Sequence, residues 1–338
     1  MKRFVALCAF GVSVGSAVAA PVVSNPAHSI TALVSSEWYT TFNGLMKDGN
    51  TLYFGNSDAV KSYNLMSGAY ADYASLPSNA DTKALSKAGS TMYIAIDLSY
   101  SSPYPSKLGT VDPVGGFQAQ IDCDMSAGTA TFSIYDSAVF GGNYYFVANP
   151  GMITNNSPLG GYTDGTKIYR YNSADPMNPV LIADVGGASG NLVFDALGNL
   201  YYASQSGEGV LKFDAADVLT GGLSITDGST IADITASGIG FLSTGELIAE
   251  TLFGQELAAY STADGSKLYS IADTSGYEYM GKFIIGEDDT IYLISSDFSY
   301  SSDEISTIYA LTVPEPGSVL LIAFGALSVF YIRRRCRN

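Results

Sequence analysis

The chain has 338 residues, enough for one large domain or two ordinary ones. Only 14% of the residues are charged and 47% are hydrophobic, which excludes a highly charged disordered chain. The 32 acidic residues outnumber the 16 basic ones, and the net charge of −16 disfavours nucleic-acid binding. The 36 glycines and 24 tyrosines indicate many short strands joined by tight turns.

The N-terminus predicts a secretory signal peptide over residues 1–19. Lys2 and Arg3 precede an apolar stretch from Phe4 to Val18, and small residues stand at the −3 and −1 positions. We expect cleavage after Ala19. The alternative is a retained N-terminal anchor.

One sequence phrase recurs six times: a turn, followed by an apolar-aromatic strand. Its anchor positions, spaced 40 to 56 residues apart, are Tyr53, Tyr93, Tyr145, Tyr201, Ile248 and Tyr292. An alternating strand follows each copy, a short apolar segment precedes it, and a fourth strand candidate closes most units. Four short strands at this period are typical of a β-propeller blade. The sequence therefore predicts an all-β, six-bladed propeller over residues 20–312, with four antiparallel strands per blade.

The sixth unit lacks a fourth strand, because Pro314 follows its third strand. Residues Ser29–Ser35 are extended in character and otherwise unused, so we expect this N-terminal strand to complete the sixth blade and close the ring. The structural alternative is a β-sandwich. The unit Phe194–Tyr201, followed by Gly209–Asp214, resembles those of the NHL and SMP-30-like six-bladed propellers. That resemblance supports the fold and implies no activity.

Three connections between second and third strands carry the candidate ligand-binding residues. Asp97–Ser102 and Asp297–Ser302 are near-copies, and the third connection runs from Asn149 to Thr166. In a propeller such connections emerge on one face, and tyrosine beside hydroxyl and amide groups suits hydroxylated ligands such as glycans. The alternative is a set of polar insertions without a ligand. The candidate ligand-binding residues are Tyr100, Tyr162, Phe298 and Tyr300.

The sequence offers no catalytic constellation. His28 is the single histidine, which excludes a multi-histidine metal site, and we expect it to be a solvated residue ahead of the first strand. The resemblance to propeller lactonases implies a divalent metal bound by Glu, Asn and Asp in the central channel. Asp195 has a fitting context but is expected to cap a turn, and Glu250 and Glu278 are weaker candidates. We therefore predict no catalytic residue, no metal ligand and no cofactor, and a divalent cation has no support in the residues.

The last 26 residues, 313–338, form a three-part tail. An apolar run, Gly317–Ile332, would span about 24 Å as a helix, which is short for a bilayer core. The flanking residues are Val313, Pro314, Glu315 and Pro316 before the run and Arg333, Arg334 and Arg335 after it. This order resembles the PEP-CTERM sorting signal of Gram-negative bacteria. The resemblance implies a transmembrane helix anchored transiently in the inner membrane, processing by an exosortase-type membrane protease, and delivery to the cell surface or the extracellular exopolysaccharide matrix. The alternative is a plain C-terminal anchor.

Without both ends, the body keeps 10 basic and 31 acidic residues, a net charge of −21. We expect an exported, non-enzymatic propeller that acts in binding or interaction, with exopolysaccharide as a candidate partner. The alternative is a metal-dependent sugar-lactone hydrolase or a polysaccharide-modifying enzyme. Three or more carboxylates or amides converging near the ring axis would distinguish that enzyme. A third reading is a passenger for surface display without a specific ligand.

Overall fold

The computed structural model describes most of the body of the chain. The described residues are 21–24, 28–36, 42–98, 106–122, 132–150, 165–176, 178–187, 190–205, 207–251, 255–273, 278–297 and 305–313. Within these ranges the strands form six separate sheets, each the blade of a ring. The predicted signal peptide and the apolar run of the tail lie outside the described residues.

Two N-terminal strands come first, β1 (Val22–Val23) and β2 (Ser29–Ser35). The first blade contains β3 (Phe42–Asp48), β4 (Thr51–Asn56), β5 (Ala59–Asn64) and β6 (Tyr70–Ser75). The second contains β7 (Ala80–Ala88), β8 (Thr91–Leu98), β9 (Ser106–Asp112) and β10 (Gly116–Asp122). The third contains β11 (Phe132–Phe140), β12 (Asn143–Pro150), β13 (Lys167–Arg170) and β14 (Val180–Asp184).

The fourth blade contains β15 (Gly190–Phe194), β16 (Leu200–Ser204) and β17 (Val210–Phe213). Before its last strand, the chain forms the short helix α1 (Ala215–Thr220), the two-residue strand β18 (Leu223–Ser224) beside β14, and a 3₁₀ turn (Ile225–Asp227). The blade ends with β19 (Ser229–Ala232). The fifth contains β20 (Ala236–Phe241), β21 (Leu247–Thr251), β22 (Glu256–Tyr260) and β23 (Lys267–Asp273). The sixth contains β24 (Glu278–Ile285), β25 (Thr290–Asp297) and β26 (Ile305–Thr312).

The N-terminal strand closes the ring, as predicted. Strand β2 pairs antiparallel with β26 from Ser29 opposite Thr312 to Ser35 opposite Thr307, and so becomes the fourth strand of the sixth blade. Strand β1 was not anticipated. It pairs with β23 at the outer edge of the fifth blade, so the N-terminal segment joins two neighbouring blades.

The expectation that His28 is a solvated residue was wrong. His28 is only 7% exposed, because the segment that carries it passes from the fifth blade to the sixth. Its Nδ1 lies 3.5 Å from the carbonyl oxygen of Ile271, and its ring centroid lies 6.1 Å from that of Tyr269. Burial lowers the pKa of the imidazole, although the contact with Ile271 opposes that shift.

The blades bury their faces against one another, as sheets of a ring must. The repeated aromatic anchors supply much of this packing. Tyr145 lies 4.8 Å from Phe194 of the next blade, and Tyr201 lies 4.6 Å from Phe241 of the blade after it, measured between ring centroids. Anchor positions of the sequence repeat therefore contribute to the contacts between neighbouring blades.

The two ends of the ring differ, and we name them by the course of the chain. The innermost strands β3, β7, β11, β15, β20 and β24 all begin at one end, the entry face, and finish at the other, the tail face. Second strands end and third strands begin on the entry face. Because β26 is a third strand, it runs away from the entry face and leads to Val313 at the tail face.

Candidate functional site

The entry face opens into a polar cavity at the mouth of the central channel, and β-bulges build it. In five of the six innermost strands described, the register with the second strand shifts near the entry face. A bulge turns an extra residue out of the regular alternation and often re-aims a side chain at a functional site. The bulged segments of the second, third, fifth and sixth blades contain Lys83, Tyr135, Ser237 and Lys282, all of which line this cavity.

An ion pair crosses the channel. Asp136 of the third blade, 2% exposed, accepts a hydrogen bond from the ammonium of Lys282 in the sixth blade, which stands opposite in the ring. The other carboxylate oxygen of Asp136 accepts from Asn191 Nδ2 and, at 2.9 Å, from the backbone N–H of Leu192. The Oδ1 of Asn191 in turn accepts from the N–H of Ile239 at 3.1 Å. Four blades, the third to the sixth, are thus joined around one carboxylate.

A second network lines the other side of the mouth. Asn43 of the first blade donates to Asp81 of the second across 2.7 Å, and Asp81 also accepts from Lys83. The Lys83 ammonium lies 3.6 Å from Asp97, which accepts from the hydroxyl of Ser106. Burial lowers the pKa of Lys83, but the charges of Asp81 and Asp97 outweigh burial and hold that pKa above its usual range.

Glu250 reaches the mouth from a second strand. Its backbone pairs with Gly238 on the innermost strand, and a Cβ added to Gly238 would lie 3.1 Å from the Glu250 Oε2 and 2.9 Å from the Phe283 ring. The glycine therefore leaves the room that the carboxyl group occupies. Glu250 is 2% exposed, and burial raises its pKa well above the usual range, although a Ser237 hydrogen bond and the Lys282 charge oppose the shift.

Two neighbouring cavities lie along the channel. The polar mouth has a cavity volume of about 230 Å³. A second cavity of about 430 Å³ lies further towards the tail face, where Phe194, Phe241 and Ile285 contribute apolar walls. Asn191 and Lys282 line both cavities, so the ion pair across the channel marks the boundary between them.

Carboxylates and amides do converge near the axis, as the enzyme alternative requires, but their pairing does not suit a resident divalent cation. Asp136 is bound to Lys282 and Asp81 to Lys83, so a cation would have to displace an ammonium group. Burial raises the pKa of Glu250, which disfavours the charged carboxylate that a cation would need. Among the residues that the structure describes, no group of three or more His, Cys, Asp or Glu side chains is arranged to hold a metal ion.

Asp195 occupies the turn that its context predicted, on the tail face. Its Oδ1 accepts from the backbone N–H groups of Leu197 and Asn199, both at 2.9 Å. Its Oδ2 accepts from Asn199 Nδ2 at 2.7 Å and from the Tyr201 hydroxyl at 3.2 Å. Burial would raise its pKa, but these hydrogen bonds outweigh that effect and hold the pKa below the usual range. The Glu278 side chain lies outside the described part of the chain.

The predicted ligand-binding residues also lie outside the described residues: they are Tyr100, Tyr162, Phe298 and Tyr300. The strands that border their segments are described, and Leu98, Ser106 and Ile305 stand on the entry face with the channel mouth. In the second blade, the residues that border the tyrosine-bearing segment contact the channel mouth directly, since Asp97 and Ser106 take part in the network of Lys83. Of the sorting residues, Val313 is described and buried.

The tail matches a family model, the PEP-CTERM protein-sorting motif, over residues 312–335. The chain carries a PEP-CTERM sorting motif. The match spans Val313 to Pro316 and Arg333 to Arg335, so the motif that the sequence suggested is confirmed. In the part of the chain that the structure describes, no helix is long and apolar enough to cross a membrane.

Solved structures confirm the fold of the body. A luciferin-regenerating enzyme aligns with a TM-score of 0.61 and 15% identity, over 85% of this chain and 95% of its own. A calcium-binding regucalcin from Agrobacterium tumefaciens aligns at 0.56 and 14%, over 84% and 95%. The PQQ-bound aldose sugar dehydrogenase of Streptomyces coelicolor aligns at 0.55 and 13%, over 87% and 100%. Among curated proteins, none matches this sequence. At these identities the likeness concerns the six-bladed propeller fold alone.

Proposed function

We propose that this protein is an exported, non-enzymatic propeller that binds polysaccharide on its entry face. In this proposal the signal peptide over residues 1–19 directs export, and the tail holds the protein in the inner membrane. An exosortase-type protease then processes the tail, which delivers the body to the cell surface or the extracellular matrix. The PEP-CTERM motif at residues 312–335 supports this route.

One observation carries the binding proposal: the polar channel mouth and the strands that border the tyrosine-bearing segments share one face. Asn43, Asp81 and Asn191 offer amide and carboxylate groups at the mouth. Such groups fix the orientation of a hydroxylated ligand, while Tyr100, Tyr162, Phe298 and Tyr300 would supply flat apolar contact.

A panel of bacterial exopolysaccharides, assayed against the exported chain, tests this proposal. Tyr100→Ala and Tyr300→Ala should each weaken binding about tenfold, because each removes an aromatic contact area. Tyr70→Ala is the matched control, since Tyr70 is exposed at the tail-face end of the first blade and should leave binding unchanged. Equal binding by parent, Tyr100→Ala and Tyr300→Ala would contradict the proposal. Mature surface protein that retains Arg333 to Asn338 would contradict processing.

Besides the polar groups that converge at the channel mouth, a second observation favours the enzyme alternative. A buried carboxyl group with a raised pKa in a cleft is a common feature of general acids, and Glu250 meets that description beside Ser237 and Lys282. A polysaccharide-modifying enzyme would then use Glu250 as its acid without a metal. The Glu250→Gln variant separates the two functions, because it should leave binding intact and would abolish any turnover of the same polysaccharides.

A further inference from the structure

The chain leaves the folded body on the tail face, close to the start of the apolar run. Thr312, the last residue of β26, pairs with Ser29 of the closing strand, and Val313 after it is only 8% exposed. Three residues separate Val313 from Gly317. Even fully extended, that link spans about 14 Å. Anything that fixes the apolar run therefore holds the tail face within that distance.

The same face carries an unusual share of exposed apolar side chains. Among the described residues, all the large hydrophobic side chains that are exposed lie at the tail-face ends of the sheets, with the single exception of Val22. Val114 is 97% exposed in the hairpin of the second blade, and Met66 and Leu197 are both 79% exposed in hairpins of the first and fourth. Leu219 on α1 and Leu268 at the start of β23 extend the set.

These side chains are spread around the ring. Met66, Val114, Leu197 and Leu268 stand on four different blades, and the sixth blade supplies the tail itself. Each one alone would be ordinary for a soluble protein. Together they lie at one end of the ring, as side chains that touch a planar apolar layer must. A compact partner that fills one groove would instead need its contacts side by side.

We infer that the tail face is a membrane-facing surface, on which the ring stands upright while residues 317–332 anchor the chain. The inference rests on the proposed function, since it requires the tail to enter the inner membrane. Hairpin tips of the first, second, fourth and fifth blades then enter the interfacial layer, where single apolar side chains each add a small contribution. The entry face is held about 25 Å further out, the length of a strand of seven or eight residues.

Charge restricts the kind of bilayer that fits. The tail face also carries Asp112, Asp264 and Asp288, all at its turns, and these carboxylates repel anionic headgroups. We therefore expect upright standing on zwitterionic phosphatidylcholine vesicles. Anionic phosphatidylglycerol should lift the hairpin tips away without releasing the anchor.

The test is fluorescence quenching of the exported chain, tail intact, in phosphatidylcholine vesicles with nitroxide-labelled headgroups. Cys123 and Cys336 are replaced by Ser, and a single environment-sensitive dye is attached to Val114→Cys or Leu197→Cys. The matched entry-face control is Asp58→Cys, in the exposed turn between β4 and β5. We expect both tail-face labels to be quenched about threefold more than the control, and phosphatidylglycerol to remove most of this difference.

A third label, Leu268→Cys, distinguishes upright from edge-on orientation, because the fifth blade adjoins the sixth. Quenching of Leu268→Cys without Val114→Cys and Leu197→Cys means that the ring lies on its edge, which overturns the inference. Equal quenching of tail-face and entry-face labels on vesicles that carry the protein also overturns it, while the proposed function stands. Failure of the chain to float with vesicles overturns both the inference and the membrane stage of the proposed function.

Discussion

Lys282→Met should destabilise the ring more than the loss of any surface ion pair. The Lys282 side chain is 23% exposed and that of its partner, Asp136, is buried, so the substitution leaves a buried carboxylate without its cation. Removing one partner of a buried pair typically costs 3–5 kcal/mol, and partial exposure of Lys282 places the expected loss near the lower end, at about 3 kcal/mol. For a body of this size, that corresponds to a fall in Tm of about 6 °C.

The assay is chemical unfolding of the parent, Lys282→Met, Asp136→Asn and the double variant. The double variant should recover about 2 kcal/mol of the loss, because an amide at position 136 no longer needs a cation. Lys267→Met is the matched control: its pair with Glu256 is on the surface, with Lys267 42% exposed, and should contribute less than about 1 kcal/mol. If Lys282→Met costs no more than Lys267→Met, the pair across the channel does not hold opposite blades together.

Three further predictions concern pH and packing. Because burial lowers the pKa of His28, the stability of the protein should fall as the pH drops below about 6.5. The His28→Gln variant should show a smaller fall in its urea midpoint between pH 7.5 and 5.5, and an equal fall in parent and variant would refute this prediction. Because the pKa of Glu250 is raised in the folded protein, burying this group becomes unfavourable once its carboxyl group ionises in the unfolded chain, above about pH 4.3. Glu250→Gln should therefore be as stable as the parent at pH 4.5 and more stable than the parent at pH 8. A gain in stability that does not grow with pH would refute this prediction. Gly238→Ala should lower stability by about 1–3 kcal/mol in thermal unfolding, since its Cβ would lie 2.9 Å from the Phe283 ring, whereas Gly281→Ala, whose Cβ meets its nearest neighbour at 3.6 Å, should be tolerated.

The sequence was sufficient for the ring and insufficient for its channel, for physical reasons. Turn glycines and alternating strands are local signals, and six copies of them predict six blades. They also predict that the sixth blade lacks a fourth strand, which Ser29–Ser35 supplies. The two-residue strand β1 is too short to leave a pattern, so neither its pairing nor the burial of His28 could be inferred.

The channel mouth depends on register, which no local pattern encodes. Asp136 and Lys282 are 146 residues apart and meet because a bulge near the start of each strand shifts the alternation. Glu250 attracted attention as an acid, but only the glycine opposite it, Gly238, brings its carboxyl group to the mouth. The sequence signal for this position is a glycine on one strand opposite an acid on the next. Without the fold, the sequence does not show which residues lie opposite each other.

Chain direction separates the two roles that we propose for this molecule. An innermost strand that begins at the entry face makes every third strand end at the tail face, and the chain ends its folded part on a third strand, β26. The chain can end on a third strand because the N-terminal strand supplies the fourth strand of the sixth blade. If the sixth blade had ended on a fourth strand of its own, the chain would have left the ring at the entry face. The anchor would then have pressed the polar mouth against the membrane. Borrowing β2 from the N-terminus therefore does more than close the ring, because it also leaves Val313 on the tail face, the face that our proposal places against the membrane.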